Sequence, residues 1–354
     1  MKVLFDHQIF SYQEYGGVSR YFCKLFENFP REMWDVSLLL SNNYYLEEKE
    51  DLNISYRNFL KKCHFYKKER LMLELGKMYS SKYIRNKNYD VLHLTHYESY
   101  ACSLTKRPIV LTYHDKLFSS YAFNARTVRE QKKCFDRVDF VIAISNSTKK
   151  DLLELFGYPE EKIKVIYHGV DNNIKKQDPI VDGLYVLFVG RRSGYKNFDL
   201  FLDAFSRLRN TDLKLVCAGP SFTKEETVRI EHLGLQKRVV QKLVSDNELN
   251  ALYQHALFFI FPSKYEGFGL PLLEAMANKC PVLCSNVSSL PEVAGNAALY
   301  FNPTDLDSIE YAMTQVINSS VLRSDLVSKG EERIKFFTWE KCAKEHISLY
   351  ESLL

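Results

Sequence analysis

Short apolar runs alternate with helix-like segments along almost the whole of this 354-residue chain. Runs such as LYVLFVG and LKLVCAG have the length and the β-branched and aromatic content of buried strands. Between such runs lie amphipathic segments, for example NFDLFLDAFSRL and DNELNALYQHA, which have the periodicity of helices. Because this alternation is typical of a parallel sheet with crossover helices, the sequence predicts an α/β protein.

The strand-like runs form two series. The first contains KVLFDHQIF, DVSLLLS, VLHLTHY, IVLTYHD, FVIAIS and KIKVIYHG, and the second contains LYVLFVG, LKLVCAG, RVVQKLV, LFFIFPS and PVLCS. Residues 170–183 separate the series and hold proline and glycine without periodicity, which favours a linker. The chain is long enough for two domains, with a cleft between their sheets and ligands beyond the carboxyl ends of the strands.

Several helices have recognisable starts and ends. SNSTKKDLLELFG begins with a Ser/Asn cap and ends in glycine. VSRYFCKLFENF places Tyr21, Leu25 and Phe29 on one face of a predicted helix. The tail from Trp339 also has a helical pattern, but the residues themselves do not assign it to either domain.

Residues 262–282 read as a strand end, a glycine-bearing loop and a helix. Pro271 stands where a first helical residue is tolerated, since its missing N–H would be unpaired in any case. The backbone N–H groups of Gly267, Phe268, Gly269 and Leu270 are therefore expected to converge at a helix N-terminus. Such a terminus is an anion-binding site.

Two carboxylates bracket this expected anion site, Glu266 in the loop and Glu274 in the helix. Acids are an unusual addition if the ligand is phosphate alone. They suit a phosphate ester with hydroxyl-rich groups on both sides, because carboxylates accept hydrogen bonds from sugar hydroxyls. The segment therefore favours a nucleotide sugar as its ligand.

A second strand-to-helix turn carries three cations. Gly190 ends a strand-like run, and Arg191, Arg192 and Lys196 follow it. This group suits a diphosphate, which needs both charge neutralisation and hydrogen bonds. A solvated basic turn that caps a helix explains the same residues.

In the first series, Gly16 and Gly17 follow the first strand and open a helix, where backbone comes close to a neighbour. The pattern is not GxGxxG, so it gives no support for a nicotinamide cofactor, and a plain turn is the simpler interpretation. His114 ends the run IVLTYHD and could hydrogen-bond a substrate or a developing charge. Local backbone contacts are the alternative for this histidine.

Two patterns that often mark metal sites are present in weak form. His93 and His96 are three residues apart on a predicted strand, so their side chains are expected on opposite faces. Asp305 and Asp307 form a DxD pattern, but they open a helical run, where carboxylates usually act as caps. We therefore predict no metal site.

Residues 57–87 hold ten basic residues and two acids, interleaved with aromatic and aliphatic residues. Helical spacing would give one apolar and one cationic face, as in a segment that lies on a membrane surface. A core-packed helix with a solvated basic side is the equal alternative.

Composition excludes some other classes. The net charge of +4 is too small to indicate a nucleic-acid partner. Eight cysteines without CxxC pairing indicate reduced thiols and not a zinc site or a disulfide framework. The chain enters a strand directly and has no apolar run of about 20 residues, so a cytoplasmic protein without a signal peptide or a membrane span is expected.

Taken together, these segments resemble the retaining GT-B glycosyltransferases of family GT4. The stretches that carry the resemblance span nearly the whole chain: YGGVSRY, YHD, AISNSTKKDLLELFGYPEEKIKVIYHGVD, VGRRSGYKNF, VSDNELNALY, PSKYEGFGLPLLEAMA, LPEVAGNAALYFNP and FTWEKCAKEHISLYESLL. The E-x7-E element from Glu266 to Glu274 and the GRRSGYK segment are its most specific parts.

The resemblance implies two Rossmann-like, doubly wound parallel-sheet domains that face each other across a cleft. Residues 1–172 would form the acceptor-side domain, with a C-terminal helix at about 338–354 packing back on it. Residues 173–337 would form the nucleotide-sugar-binding domain.

The resemblance also implies an activity. It implies transfer of a hexose, with retention at the anomeric carbon, from a UDP- or GDP-sugar to a glycan or polyisoprenoid-linked acceptor. GDP-mannose is favoured, and bacterial O-antigen, capsule or lipopolysaccharide biosynthesis is the implied setting. No cofactor, metal or nucleic acid is expected, and peripheral contact with the inner face of a membrane through residues 57–87 is a hypothesis.

By position, the resemblance assigns roles to individual residues of the second domain. Glu266 would bind the hydroxyls of the donor sugar, and Glu274 the ribose. Arg191 or Arg192, together with Lys196, would hold the diphosphate and stabilise the leaving group.

The remaining assignments concern both domains. His114 would lie by the donor sugar at the reaction centre, and Gly16–Gly17 would approach the diphosphate or the acceptor. Val244 is assigned to the nucleotide site, and Lys242 stands where relatives often have glycine, which leaves base recognition open.

Three other interpretations share parts of this pattern. A nucleotide-sugar epimerase of GT-B fold would use the same donor pocket without an acceptor. A non-catalytic protein would bind the nucleotide sugar without transfer. A metal-dependent GT-A enzyme would depend on Asp305 and Asp307.

Overall fold

The computed structural model describes residues 1–61, 63, 65–115, 125–192, 194–209 and 212–354, without the side chains of 125–128 and 130. The described residues form two compact units. Unit 1 consists of Met1–Gly169 together with Trp339–Leu354, and unit 2 consists of Val170–Thr338. Among the described residues, no helix has both the length and the apolar character that crossing a membrane requires.

Unit 1 is built on a parallel six-stranded sheet in the order β2-β1-β3-β4-β5-β6. Its strands are β1 (Val3–Phe5), β2 (Trp34–Val36), β3 (Val91–Leu94), β4 (Ile109–Tyr113), β5 (Phe140–Ala143) and β6 (Ile163–Val165). Its helices are α1 (Gln8–Tyr12), α2 (Gly17–Glu27), α3 (Tyr44–Glu48), α4 (Lys68–Asn86), α5 (Ala125–Arg137), α6 (Asn146–Phe156) and the C-terminal helix (Trp339–Glu351).

Aromatic side chains fill the core of unit 1 on one face of this sheet. The rings of Phe26 and Trp34 stack with their centroids 4.4 Å apart, and Phe5 meets Phe26 edge to face at 4.8 Å. These residues are almost completely buried. Because rings of this size remove much apolar surface from water, the high aromatic content of the chain contributes directly to the stability of this unit.

Unit 2 contains a second parallel six-stranded sheet, in the order β12-β11-β10-β7-β8-β9. Its strands are β7 (Tyr185–Val189), β8 (Lys214–Ala218), β9 (Val239–Lys242), β10 (Phe258–Phe261), β11 (Val282–Ser285) and β12 (Leu299–Phe301). Its helices are α7 (Phe198–Ser206), α8 (Lys224–His232), α9 (Asp246–His255), α10 (Leu270–Ala277), α11 (Leu290–Ala294), α12 (Leu306–Asn318) and α13 (Ser320–Arg333).

The strand order of unit 2 is that of a doubly wound sheet. The chain moves outward from β7 to β8 and β9, then returns to the other side of β7 with β10, β11 and β12. The order reverses between β7 and β10, which pair through Val186 and Phe258. A crevice opens outside the carboxyl ends of strands at such a point, and ligands bind there.

The predicted α/β fold with parallel sheets is confirmed, and the predicted caps of α6 are present. The Ser145 hydroxyl accepts a hydrogen bond from the backbone N–H of Thr148, and Gly157 ends the helix in the left-handed conformation. Some details were wrong. The first strand is shorter than the run KVLFDHQIF, because the chain turns at Asp6 into α1. The predicted strand DVSLLLS begins earlier, at Trp34, and ends at Val36.

Candidate functional site

The polar residues singled out in the second half of the chain follow two neighbouring strands of unit 2. Arg191 and Lys196 follow β7, and Glu266 follows β10, which pairs directly with β7. Glu274 lies on α10, the helix after that loop. We call Arg191, Lys196, Glu266 and Glu274 the switch-point site, because β7 and β10 flank the reversal of strand order.

The most direct contact in the switch-point site is an ion pair between residues 70 apart in the sequence. The Nζ atom of Lys196 lies 2.7 Å from Oε1 of Glu266, and only 16% and 13% of these side chains are exposed. The ammonium also lies 4.9 Å from the ring centroid of Phe261. The backbone N–H of Lys264 donates to the carbonyl oxygen of Tyr195 at 2.7 Å, which joins the two loops.

The two adjacent arginines have different surroundings. Arg192 is buried, and its guanidinium donates to both carboxylate oxygens of Glu226 at 3.1 Å and to the carbonyl oxygens of Pro220 and Ser221. Arg191 is exposed. The Arg192 side chain is thus engaged inside unit 2 through its Nε and Nη2 atoms, whereas its buried Nη1 atom has no hydrogen-bond partner among the described residues. The exposed Arg191 side chain takes no part in these contacts.

The expected loop-to-helix turn after β10 is present. Helix α10 begins at Leu270 with Pro271 in its first turn, and Gly269 precedes it at a φ of 105°. A β-carbon on Gly269 would lie 2.8 Å from a methyl carbon of Leu290. Both the positive φ and this close packing require glycine at that position, so the start of α10 is fixed by tertiary structure.

Two serines that the sequence reasoning missed hold the loop before α10. The Ser288 hydroxyl accepts a hydrogen bond from the backbone N–H of Glu266 at 2.9 Å. The buried Ser289 Oγ lies within hydrogen-bond distance of the carbonyl oxygens of Glu266, at 2.9 Å, and Phe268, at 2.8 Å. The adjacent serines before LPEVA were the available signal, since serine commonly bonds to nearby backbone.

Other predicted nucleotide-site residues lie nearby along the same sheet. Glu274 is half-buried, and the hydroxyl of Tyr253 lies 3.4 Å from its Oε2. Gly190 follows β7 at a φ of 112°. Val244 is half-buried between β9 and α9. Lys242 ends β9, and its carbonyl oxygen accepts from the backbone N–H of Gly219.

The structure places His114 at the carboxyl end of β4 in unit 1, where it is buried. Its backbone N–H donates to the hydroxyl of Tyr97 at 3.1 Å. Among the described residues, its Nε2 atom has no hydrogen-bond partner. Burial lowers the pKa of His114 well below its ordinary value, and the nearby His168 adds to this, so the ring is neutral at pH 7.

The glycine pair of unit 1 opens α2. Gly16 is the N-cap residue, and its carbonyl oxygen accepts from the Ser19 hydroxyl at 3.0 Å. A β-carbon on Gly16 would lie 2.5 Å from Oε1 of Gln13, whereas one on Gly17 would meet nothing within 4 Å. The close neighbour of Gly16 is thus a side chain of its own loop.

The DxD pattern has the structural role predicted for it. Asp305 caps α12 by accepting hydrogen bonds from the backbone N–H groups of Asp307, at 3.0 Å, and Ser308, at 3.2 Å. Asp307 pairs with Arg207 at 2.8 Å. Over the part of the chain that the structure describes, no three His, Cys, Asp or Glu residues are arranged to hold a metal ion.

The basic segment of residues 57–87 forms α4 only from Lys68 onward. Its buried positions in this helix are Met72, Gly76, Ser80 and Ile84, a narrow stripe on one face. Basic residues and some apolar ones remain exposed, including Met78. The core-packed interpretation therefore holds for one face of α4, and Lys62 lies outside the described residues.

Comparison with known proteins gives two family matches that together cover most of the chain. The model of the glycosyl transferases group 1 matches residues 170–333. The model of glycosyltransferase family 4 matches residues 15–173.

Individual relatives have low sequence identity to this chain but align with most of its length. The O-antigen chain mannosyltransferase B of Escherichia coli is 29% identical over 267 residues, which are 69% of this chain and 70% of that protein. An N-acetylgalactosamine-N,N'-diacetylbacillosaminyl-diphospho-undecaprenol 4-alpha-N-acetylgalactosaminyltransferase of Campylobacter jejuni is 29% identical over 219 residues, 60% of each chain.

Among solved structures, Anabaena Alr3699/HepE in complex with UDP and glucose superposes with a TM-score of 0.81. The alignment covers 99% of this chain and all of that one, at 19% identity. This likeness shows the shared fold, and the family matches show the class of enzyme. The chain is a glycosyltransferase with the GT-B fold and belongs to the glycosyl transferases group 1, of the GT4 type.

Proposed function

We propose that this glycosyltransferase moves a hexose from a nucleotide-diphosphate sugar to a glycan or lipid-linked glycan during the synthesis of a bacterial surface polysaccharide. Transfer proceeds with retention at the anomeric carbon. The switch-point site of unit 2 binds the donor.

The observation that carries this proposal is the contact between Lys196 and Glu266. It holds an ammonium and a carboxylate 2.7 Å apart in a largely buried position. A ligand that meets one of them also meets the other. The sugar end of a nucleotide sugar fits both, because it carries a diphosphate directly beside a ring of hydroxyl groups.

In the proposed reaction, the bond between the anomeric carbon and the diphosphate oxygen breaks. The electron pair leaves with the nucleoside diphosphate, and Lys196 and Arg191 stabilise its charge. A hydroxyl oxygen of the acceptor forms the new bond to the anomeric carbon, and its proton passes to the departing diphosphate. Glu266 orients the sugar by accepting hydrogen bonds from its hydroxyls.

The other residues have supporting roles in this proposal. The start of α10 at Gly269 and Leu270 provides backbone N–H groups for a phosphate. Glu274 binds the ribose. His114 serves as a neutral hydrogen-bonding group toward the donor sugar, since burial prevents it from carrying charge at pH 7.

Names of relatives suggest different donors and one type of acceptor. The Escherichia coli relative is called a mannosyltransferase, which supports mannose as the transferred sugar. The HepE structure contains UDP and glucose, which supports a UDP-sugar. The name of the Campylobacter relative contains a diphospho-undecaprenol, which supports a lipid-linked acceptor.

A panel of UDP- and GDP-sugars tests the proposal. We expect one donor to raise the melting temperature and to be hydrolysed slowly without an acceptor. Conversion of the free donor into a different nucleotide sugar would instead identify an epimerase. Tight donor binding with neither hydrolysis nor transfer to any supplied glycan would indicate a non-catalytic binding protein.

We further propose that the reaction needs no metal ion. The charge of the leaving diphosphate is then balanced by Lys196 and Arg191. The rate of donor hydrolysis should be the same with EDTA as without it. A loss of activity in EDTA that Mg²⁺ or Mn²⁺ restores would overturn this part of the proposal.

A further inference from the structure

A cavity of about 620 Å³ lies in unit 1, where the segment before α4 meets the loops after α1 and β2. Four of its lining residues are cationic and two are acidic: Lys61, Lys67, Lys68, Arg70, Glu14 and Glu69. We call this the cationic cavity. The lining residues that the structure describes have a net positive charge, which favours an anionic occupant.

The cationic side chains of this cavity differ in the ion pairs and hydrogen bonds that they already make with the protein. Lys61 pairs with Glu47, and the Nζ atom of Lys68 donates to the carbonyl oxygen of Leu60 at 2.8 Å. Neither Lys67 nor Arg70 has a carboxylate within ion-pair distance among the described residues. Both are exposed, and the Lys67 ammonium lies 4.8 Å from the ring centroid of Tyr66. Because this ring does not neutralise the charge, both cations remain available to a ligand.

The chain beside the cavity is held in a strained conformation. Leu60 has a φ of 44° and Lys67 a φ of 63°, values that non-glycine residues adopt only at an energetic cost. Asn42 stabilises this segment by bonding through its side-chain amide to both backbone groups of Phe59. A strained backbone that tertiary contacts maintain is common where side chains are positioned for binding.

One aromatic residue lines the cationic cavity, and another is the sequence neighbour of a lining residue. Phe65 lines it, and Tyr15 follows the lining residue Glu14 in the loop that leads to Gly16. Tyr15 is 62% exposed, and its ring stacks on that of Tyr45 at 5.2 Å. An exposed, rigidly supported ring offers an apolar face on which the C–H side of a sugar ring can pack.

Several cations and an exposed aromatic ring thus belong to one region of unit 1. We propose that the cationic cavity binds a phosphate or diphosphate group of the acceptor, while Tyr15 packs against the first sugars attached to it. The inference rests on the proposed function, because it names the acceptor of the same transfer reaction. It adds that recognition of the acceptor requires its anionic group.

A binding experiment with inorganic pyrophosphate tests the cavity directly. The double variant Lys67→Ala/Arg70→Ala removes the two available cations, and alanine retains the β-carbon at position 67, so the backbone strain is unchanged. Lys82→Ala/Arg85→Ala is the matched control, since it removes the same charge from exposed positions of the same helix. Lys196→Ala weakens any pyrophosphate binding at the switch-point site of unit 2.

By calorimetry on the full chain, we expect the Lys67/Arg70 variant to bind pyrophosphate about tenfold or more weakly than the control variant. The Lys196→Ala variant should retain this cavity-dependent binding. Restoring both charges with Lys67→Arg/Arg70→Lys should restore affinity. Equal affinity in the Lys67/Arg70 variant and its control would overturn the proposal, as would complete loss of binding in Lys196→Ala alone.

Sedimentation with vesicles identifies the source of the phosphate. One set of vesicles contains only phosphatidylcholine, and the other an equal mixture of phosphatidylcholine and phosphatidylglycerol. If the protein sediments with the mixed vesicles and pyrophosphate releases it from them, this result would support a membrane-borne headgroup in the cavity. Pyrophosphate binding without sedimentation would support a soluble phosphate. Sedimentation that the Lys67/Arg70 substitutions leave unchanged would contradict a lipid phosphate in this cavity.

Donor measurements separate this inference from the proposed function. If the parent chain binds no nucleotide sugar, the proposed function fails whatever the cavity binds. If the Lys67/Arg70 variant hydrolyses the donor normally but transfers more slowly to a diphosphate-linked glycan, both proposals are supported. Normal transfer to that glycan by the variant would overturn the inference alone.

Discussion

At the scale of single residues, Arg191 and Arg192 show how neighbours in sequence acquire different surroundings. Arg192 donates to Glu226 from a position in which only 2% of its side chain is exposed. Removing one partner of a buried ion pair leaves the other charge uncompensated. Arg191 is exposed and is not part of this internal network.

We therefore predict opposite effects of two alanine substitutions. Arg192→Ala should lower the free energy of unfolding by about 3–5 kcal/mol, because Glu226 loses its buried partner. Arg191→Ala should leave stability nearly unchanged and lower the rate of sugar transfer about a hundredfold. Urea denaturation and steady-state kinetics measure the two effects. A stable but inactive Arg192→Ala variant would contradict the assignment.

Part of the switch-point site could be predicted from the sequence. A basic segment with Lys196 followed one strand-like run, and a segment with Glu266 followed another. Because parallel strands end at one edge of their sheet, both residues were expected near a ligand. The sequence could not distinguish Arg191 from Arg192, because the direction of a side chain in a loop depends on backbone angles. It also did not reveal Ser289, which contacts the loop only after the chain has folded.

At the scale of elements, hydrogen bonds from the C-terminal helix reach the centre of unit 1. The hydroxyl of Tyr350 lies 2.6 Å from Nδ1 of His93 on β3, and the hydroxyl of Tyr21 on α2 lies 2.8 Å from Nε2 of His346. All four side chains are buried. A buried polar group that loses its partner costs more than the bond itself contributes.

Replacing Tyr350 by phenylalanine should therefore destabilise unit 1. The substitution retains the ring but leaves Nδ1 of His93 without this partner, so the free energy of unfolding should fall by about 1–3 kcal/mol. Tyr311→Phe is the matched control, since Tyr311 is 66% exposed on α12. Equal melting temperatures for the two variants would show that this hydrogen bond contributes nothing to stability.

The elements of the fold were predictable where their pattern was long and regular. The buried runs of β4, β7, β8 and β10 and the capped helix α6 all occur where the sequence indicated. Strand β12, with three residues, was missed. Helix α1 was read as strand, because tertiary contacts of the buried Asp6 with Thr95 turn the chain.

At the scale of the whole molecule, unit 1 contains many buried histidines. Burial is the largest cause of a lowered pKa at six of them: His7, His93, His96, His114, His168 and His346. The pKa falls to about 3 at His7 and His168 and to about 4 at His96 and His346. Burial acts oppositely on Asp6, whose pKa is raised to about 6.

We predict that acid destabilises unit 1. As the pH falls from 6.5 toward 4, each histidine gains a proton in the unfolded chain but not in the folded one. The free energy of unfolding therefore falls as the pH is lowered through this range, and each of the six histidines contributes to the fall. Asp6 acts in the opposite direction between pH 6 and 3.8, because its folded form retains the proton, but it is one group against six.

Hydrogen exchange at pH 7 and pH 5, corrected for the intrinsic rate, measures this effect locally. At pH 5, protection should fall in three elements of unit 1. These are β3, which contains His93, β4, which ends beside His114, and the C-terminal helix, which contains His346. Peptides of the sheet in unit 2 serve as the internal control. Unchanged protection of these elements of unit 1 at pH 5 would contradict the prediction.

The central claim is that the switch-point site binds the donor and stabilises the departing diphosphate. The direct test is the turnover number for sugar transfer in Lys196→Ala and Glu266→Gln, with Lys224→Ala, an exposed lysine of α8, as the control. We predict that each site variant loses a factor of about 10²–10³ in turnover while the control retains its rate and all three stay folded. Turnover equal to the control in either site variant would contradict the claim.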